Sequence, residues 1–316
     1  MAVQYGQESV KHLKYHGANV ESPYGQTPLH LAASLGHLKA TIILSHGANM
    51  DKEDKDGYSA LYSSAQILNI HLDIAKYLSS PGAEVNKGYK DGWTALHGSA
   101  FNGDLDVLKY LINQGAEVDM GDNKAKELSK GAEVNEENND GRTAFQLAAG
   151  NGHLNVTKYL ICEGAEVNRG DHNGGTAFHS AAFNGHLDVL KYLISQGAEL
   201  DQNNLTDIHL AIQHGHISTV EKLVSEGADL NIQSPDGQTC LHKAIKLCNS
   251  SENIVQESET LRKISEEHYG GELSPEKALV FYLLENGAKL DVKDERGNLP
   301  IQYAKDEVVK QMILSR

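Results

Sequence analysis

The sequence predicts an all-α solenoid of stacked helix-turn-helix units with projecting β-hairpin-like fingers, and three observations predict it. The glycine of a recurring Gly-Ala pair stands at Gly17, Gly47, Gly82, Gly115, Gly131, Gly164, Gly197, Gly227 and Gly287, in steps of 30, 35, 33, 16, 33, 33, 30 and 60 residues. A period near 33 residues marks a repeat array. Each unit carries two apolar segments at helical spacing. A Thr with a His three residues later also recurs, at Thr27/His30, Thr94/His97, Thr176/His179, Thr206/His209 and Thr239/His242.

The unit "TALHGSAFNGDLDVLKYLINQGAEVD", residues 94–119, shows why each element forms. Thr94 stands where a helix N-cap belongs. The first helix then carries Ala95, Ser99 and Ala100, small enough for close approach, with Leu96 as its larger apolar member. The second helix places Leu105, Leu108, Leu111 and Ile112 on one face. Gly115 ends it in the left-handed conformation that glycine adopts at little cost. The preceding "KDGWT" has Asp-Gly turn chemistry and is expected to project as a finger. A single unit cannot bury its own apolar faces, so stacking is obligatory.

Along the chain the sequence reads as one domain, 1–316, of about eight to nine units, broken at defined places. Residues 1–20 supply only a second helix, which implies an array that starts earlier. Residues 116–135 are a truncated unit lacking a first helix; the stack is expected either to kink there or to hold the segment as an irregular plug. The unit "QNNLTDIHLAIQHG" has Leu205 in place of the usual Asp-Gly, which predicts a stubby finger. Residues 249–275 are an insertion within a repeat, where Ile254, Leu261 and Ile264 are spaced for an added amphipathic helix, a mobile loop being the alternative. Ser274 and Pro275 then restart the second helix. Residues 294–316 form a shortened C-terminal capping unit, with Lys305, Asp306, Glu307 and Lys310 as its polar face.

Bulk composition excludes several functions. The 28 Lys and Arg against 43 Asp and Glu leave a formal net charge of −15, which disfavours nucleic acid and anionic membranes. Cys162, Cys240 and Cys248 are odd in number and lack a CxxC spacing, which suits free thiols in a reducing compartment. No apolar run approaches a spanning helix, and the first residues lack a signal-peptide centre. The expected localisation is cytoplasmic, or more broadly intracellular and including the nucleus. "DKEDKDG" fails as a calcium loop, because Lys52 falls on its first position and Ser63 where a bidentate Glu is required. His209, His214 and His216 are close in sequence, yet two of them belong to repeating series, so no metal site and no cofactor is expected. Catalytic pairs do not recur once per structural unit, so the Thr and His are read as structural, and no catalytic residue is assigned. The second histidine series, His37, His71, His153, His186 and His216, is equally periodic.

Residues 25–50 "GQTPLHLAASLGHLKATIILSHGANM", 94–119 and 176–201 "TAFHSAAFNGHLDVLKYLISQGAELD" resemble the ankyrin repeat, and the near-identical "GHLDVxKYLIxxGAEVN" units resemble the expanded ankyrin arrays of marine invertebrate deuterostomes. The resemblance covers nearly the whole chain. It implies L-shaped units in a curved solenoid that binds proteins along a concave side made of fingers and first helices.

Binding is then expected at positions that the repeat leaves variable: the residue after the finger glycine and the two before the glycine between the helices. The partner-binding candidates are Tyr58, Trp93, Phe101, Asn102, Arg142, Asn151, Phe183 and Asn184. Aromatic residues and Arg dominate interface energetics, and Trp93 is the only Trp in the chain. Two competing expectations are that Trp93 packs on a neighbouring finger and that Phe101 and Phe183 are half-buried against adjacent first helices. The reading is a non-catalytic interaction scaffold, monomeric, whose protein partner carries a basic segment steered by the acidic surface. The alternative is a structural or spring-like segment of a larger signalling protein with no dedicated partner, and an enzyme has no residues to support it.

Overall fold

The computed structural model describes residues 22–46, 48–65, 72–79, 84–88, 91–114, 134–199, 207–250 and 254–316. The partial unit at 1–20, Gly115, Gly131, most of the truncated unit, Leu205, Thr206 and His71 lie outside the described residues. The fold is an all-α solenoid of repeats; among the described residues there are helices and turns, and one isolated β-bridge between Glu137 and Thr143. The chain divides into two compact units, Met1–Glu166 and Val167–Arg316.

In the N-terminal unit, short first helices α1 (Pro28–Ser34), α3 (Ala60–Ala65), α5 (Ala95–Asn102) and α7 (Ala144–Gly150) pack in a row. The second helices α2 (Leu38–Ser45), α4 (Leu72–Leu78), α6 (Leu105–Asn113) and α8 (Leu154–Cys162) form a parallel row behind them. Alanine makes this spacing feasible: Ala32, Ala60, Ala100, Ala144 and Ala148 are completely buried. α5 packs directly on α7 and α6 on α8, so the layers on either side of residues 116–135 touch each other.

The buried stripe of α6 is Val107, Leu108 and Leu111; Leu105 and Ile112, expected on the same face, flank it half-buried. Val107 lies beside Leu108 and one turn before Leu111, which centres the face on these three. The same triplet recurs in α8 as Val156, Thr157 and Leu160. Sealing a Leu in this way is worth roughly 1.5–3 kcal/mol.

In the C-terminal unit, α9 (Ala177–Asn184), α11 (Asp207–Gln213) and α13 (Cys240–Leu247) form the first-helix row, with α10 (Leu187–Ser195) and α12 (Ile217–Ser225) behind. The segment after α13 contains an extra helix, α14 (Glu259–Tyr269), which packs on the second helix α15 (Pro275–Glu285). Ser258 caps α14 by accepting from the Leu261 N–H, and Gly270 ends it at a φ of 63°. Ile254 precedes the helix and Leu261 is its buried contact. A 3-10 turn (Pro300–Tyr303) and α16 (Glu307–Leu314) complete the unit.

In α1, α5, α9 and α13 the Thr and His form a reciprocal cap. Thr94 Oγ1 and its N–H both approach His97 Nδ1, at 2.9 and 3.2 Å. Nδ1 therefore accepts and the ring proton resides on Nε2. Nε2 donates across to the finger carbonyl of a neighbouring layer: His30 to Tyr58 O at 2.7 Å, His97 to Arg142 O at 3.1 Å, His242 to Asn298 O at 3.2 Å. In the layer of α7 Gln146 Oε1 takes the place of Nδ1, accepting from Thr143 N–H at 2.8 Å. Fingers also join directly, as in the bond from Asn139 N–H to Asp91 O at 2.8 Å. At the finger bases Asn135, Asn168 and Asn231 each donate to the carbonyl of a Gly-Ala glycine, at 3.2 Å.

Candidate functional site

The finger turns are built from an Asx residue and a left-handed glycine. Asp54, Asn138, Asp171 and Asp294 accept two backbone N–H bonds each through Oδ1, leaving the next layer's first residue at the edge of the turn. That residue is the first class of candidate. Its carbonyl is what the histidine Nε2 grips at Tyr58, Arg142 and Asn298, so the backbone at these variable positions is fixed while the side chain differs.

In the N-terminal unit, Tyr58 is half-buried and stacks on Tyr62 with ring centroids 4.8 Å apart. Trp93 is half-buried and lies edge-on to Phe101 at 5.7 Å, with the His97 ring at 6.1 Å. Both of these rings belong to its own layer. Phe101 remains 45% exposed at the end of α5, and Arg142 and Asn151 are exposed one layer on. The structure brings Trp93 and Phe101 together.

All three candidate amides are tied to backbone. Asn102 Nδ2 donates to Ala65 O at 2.9 Å, holding α5 on α3, and Asn151 Nδ2 donates to Leu147 O at 2.9 Å. In the C-terminal unit Asn184 Nδ2 donates to Ser180 O at 3.2 Å. Phe183 is 44% exposed, and its ring lies 4.1 Å from that of His214, which is itself 6.2 Å from His216.

The second histidine series has a function here. His153 Nε2 donates to Phe101 O at 2.9 Å, and His216 Nε2 donates to Phe183 O at 2.9 Å. Gly103 and Gly185 follow each Phe-Asn pair at φ of 78° and 75°; a Cβ on either would come within 2.5 or 2.4 Å of that imidazole. Each exposed Phe is thereby pinned through its own carbonyl. At Gly215 the insertion takes over this role, with Ile254 O 2.2 Å from where a Cβ would sit and Gln256 N–H donating to Gly215 O at 3.1 Å.

Sequence reasoning missed the exposed ring of Tyr24, at 68%, and the exposed Val308 and Leu314 of α16. Tyr24 precedes its finger glycine, whereas the variable position was sought after it. Burial sets the electrostatics. It lowers the pKa of His97 and His242, and pushes buried His209 down to about 4. His214 is lowered by burial and then by the neighbouring His216. Burial pushes the Cys248 thiol up to about 12 and that of Cys240 further still. No described helix is long and apolar enough to cross a membrane.

A family profile described as ankyrin repeats (3 copies) matches residues 1–89, 44–122, 121–204 and 208–258. Ankyrin repeat domain-containing protein 13B of Mus musculus is 41% identical over 51 residues, which is 16% of this chain and 8% of that protein, and the Homo sapiens protein of the same name gives the same figures. The match thus spans under a tenth of the length of these relatives. Among solved structures, the human ASB11 ankyrin repeat domain aligns with a TM-score of 0.60 at 21% identity, covering 84% of this chain and 99% of that domain.

Proposed function

The chain belongs to the ankyrin-repeat family, whose repeats are generally protein-interaction modules, and from that premise we propose that it is a non-catalytic scaffold binding a partner protein on its finger and first-helix face. The observation that carries this is Phe101, 45% exposed on α5 with the sole Trp packed edge-on against it. The repeat itself needs neither ring there, since Gly150 and Ser34 occupy the register of Phe101 in other layers and Gly175 and Gln26 that of Trp93. Covering such rings is the type of contact that dominates interface energetics.

Tyr58 and Arg142 extend the patch along the fingers, and Asn102 and Asn151 border it, as Phe183 and Asn184 do in the C-terminal unit. The partner segment is basic: the net charge of −15 and the exposed finger carboxylates Asp56, Asp91 and Asp140 steer cations toward this face. The reading takes the two units as one monomeric array, working inside the cell where its three free thiols stay reduced. A pull-down from the source cell with the wild type beside Trp93→Ala tests it. Saturable binding is expected, weakened at least tenfold by the substitution and by high salt, with the far-UV helical signal unchanged. A partner held equally by Trp93→Ala and Phe101→Ala overturns it.

A further inference from the structure

We propose that the chain carries two copies of one docking site, centred on Phe101 in the N-terminal unit and on Phe183 in the C-terminal unit, and that each takes one copy of a peptide segment bearing an apolar side chain flanked by Lys or Arg. The proposal rests on the scaffold reading above and deepens it by fixing the number and chemistry of the occupants.

The two segments, 94–119 and 176–201, differ only at Leu96/Phe178, Gly98/Ser180, Ser99/Ala181, Asp104/His186, Asn113/Ser195 and Val118/Leu200. Among the described residues, most of those changes are buried within the unit or lie on its second helix. What is conspicuous is what the structure repeats around the exposed ring. Both Phe side chains have the same exposure, 45% and 44%. Both have their carbonyl held by an imidazole of a following layer at 2.9 Å. Both precede an Asn and a left-handed glycine packed so closely on that imidazole that no side chain fits. The main chain under each ring is therefore fixed before any partner arrives, which reduces the ordering cost of binding.

The rings are also both supported from one side by a second aromatic ring, Trp93 at 5.7 Å in the first copy and His214 at 4.1 Å in the second. A supported but half-open ring suits an apolar side chain laid on its free face. Charge selects what flanks that side chain. An exposed Asp follows at the same spacing in both copies, Asp106 and Asp188 in the first turn of the second helix, and acidic residues exceed basic ones across the chain by 43 to 28. Opposite charge on the occupant follows from this complementarity.

A phage-displayed library of 12-residue peptides, selected on the full chain, supplies the probe, and calorimetric titration of the enriched peptides reads the stoichiometry. The expected result is enrichment of an apolar residue flanked by Lys or Arg, binding two per chain in the wild type. Phe101→Ser and Phe183→Ser each bind one, the double variant none, and all three keep the wild-type helical signal and melting profile. A stoichiometry of one, whichever Phe it depends on, overturns the proposal while leaving the scaffold reading intact. Two bound peptides that ignore both substitutions also overturn it, since the sites then lie elsewhere. If no peptide enriches, the scaffold reading fails and takes the proposal with it.

Discussion

Phe101 and Phe183 occupy the same register on nearly the same sequence, yet they rest on different rings. Phe101 leans on Trp93, an indole that does not titrate; Phe183 leans on His214, an imidazole with a second imidazole, His216, stacked beyond it. The main-chain frame is held in common and the supporting ring varies. The comparison shows that in this array the repeat fixes where an exposed side chain stands, while the non-repeating neighbour decides how it responds to its surroundings.

The largest test of the shared frame is at the glycines. Gly103→Ala and Gly185→Ala each force a left-handed non-glycine residue against an imidazole, and should each cost about 2–4 kcal/mol, equally within error, in urea unfolding. Gly215→Ala should cost more than either, because its obstruction is the Ile254 backbone, which cannot rotate away as a side chain can. Unequal costs at 103 and 185 would break the equivalence of the two frames.

Acid comes next. The folded pKa of His209, about 4, lies below the ordinary 6.5, so the unfolded chain binds this proton more readily. Its contribution to stability is complete above pH 6.5 and is lost as pH falls from there toward 4, amounting to roughly 2–4 kcal/mol. His97 and His242 act in the same direction, since burial depresses them too. Unfolding free energies at pH 7 and pH 4.5 should therefore differ by less in His209→Gln than in the wild type; Gln146 shows that the amide fits this register. An unchanged pH dependence would remove His209 from the account.

The caps contribute less. Thr94→Ala and Thr176→Ala each remove a side-chain cap and the partner of a His Nδ1, and about 1 kcal/mol each is expected from thermal melts. The smallest effect separates the two patches directly. Phe101→Ala should shift Trp93 emission while Phe183→Ala leaves it unmoved.

Much of this was legible before the structure. The period, the Thr and His pairs and the Gly-Ala stops reveal a repeat architecture because each is a local cap or turn whose chemistry is written within a few residues. The exposed Phe101 and Phe183 were legible as large side chains at a register where the repeat also accepts Gly150 and Ser34. What stayed hidden depends on contacts between layers. His153 and His216 looked like bland members of a series, yet each bonds a carbonyl 52 or 33 residues away. Asn102 was expected to face a partner, but its amide reaches the Ala65 carbonyl, a bond set by how closely α5 and α3 pack. Leu105 and Ile112 were read on the buried face with Leu108 and Leu111, where Val107 stands instead, since the spacing of four apolar residues does not say which side of a helix the next layer covers.

The ring proton on the capping histidines lends the array a direction. In every cross-layer bond seen for His30, His97 and His242, the earlier unit gives a hydrogen and the later one receives it. Such modules have a head and a tail, like couplings on railway carriages. Exchanging whole units while preserving that order should yield viable chimaeras, whereas inverting one would set two donors or two acceptors face to face.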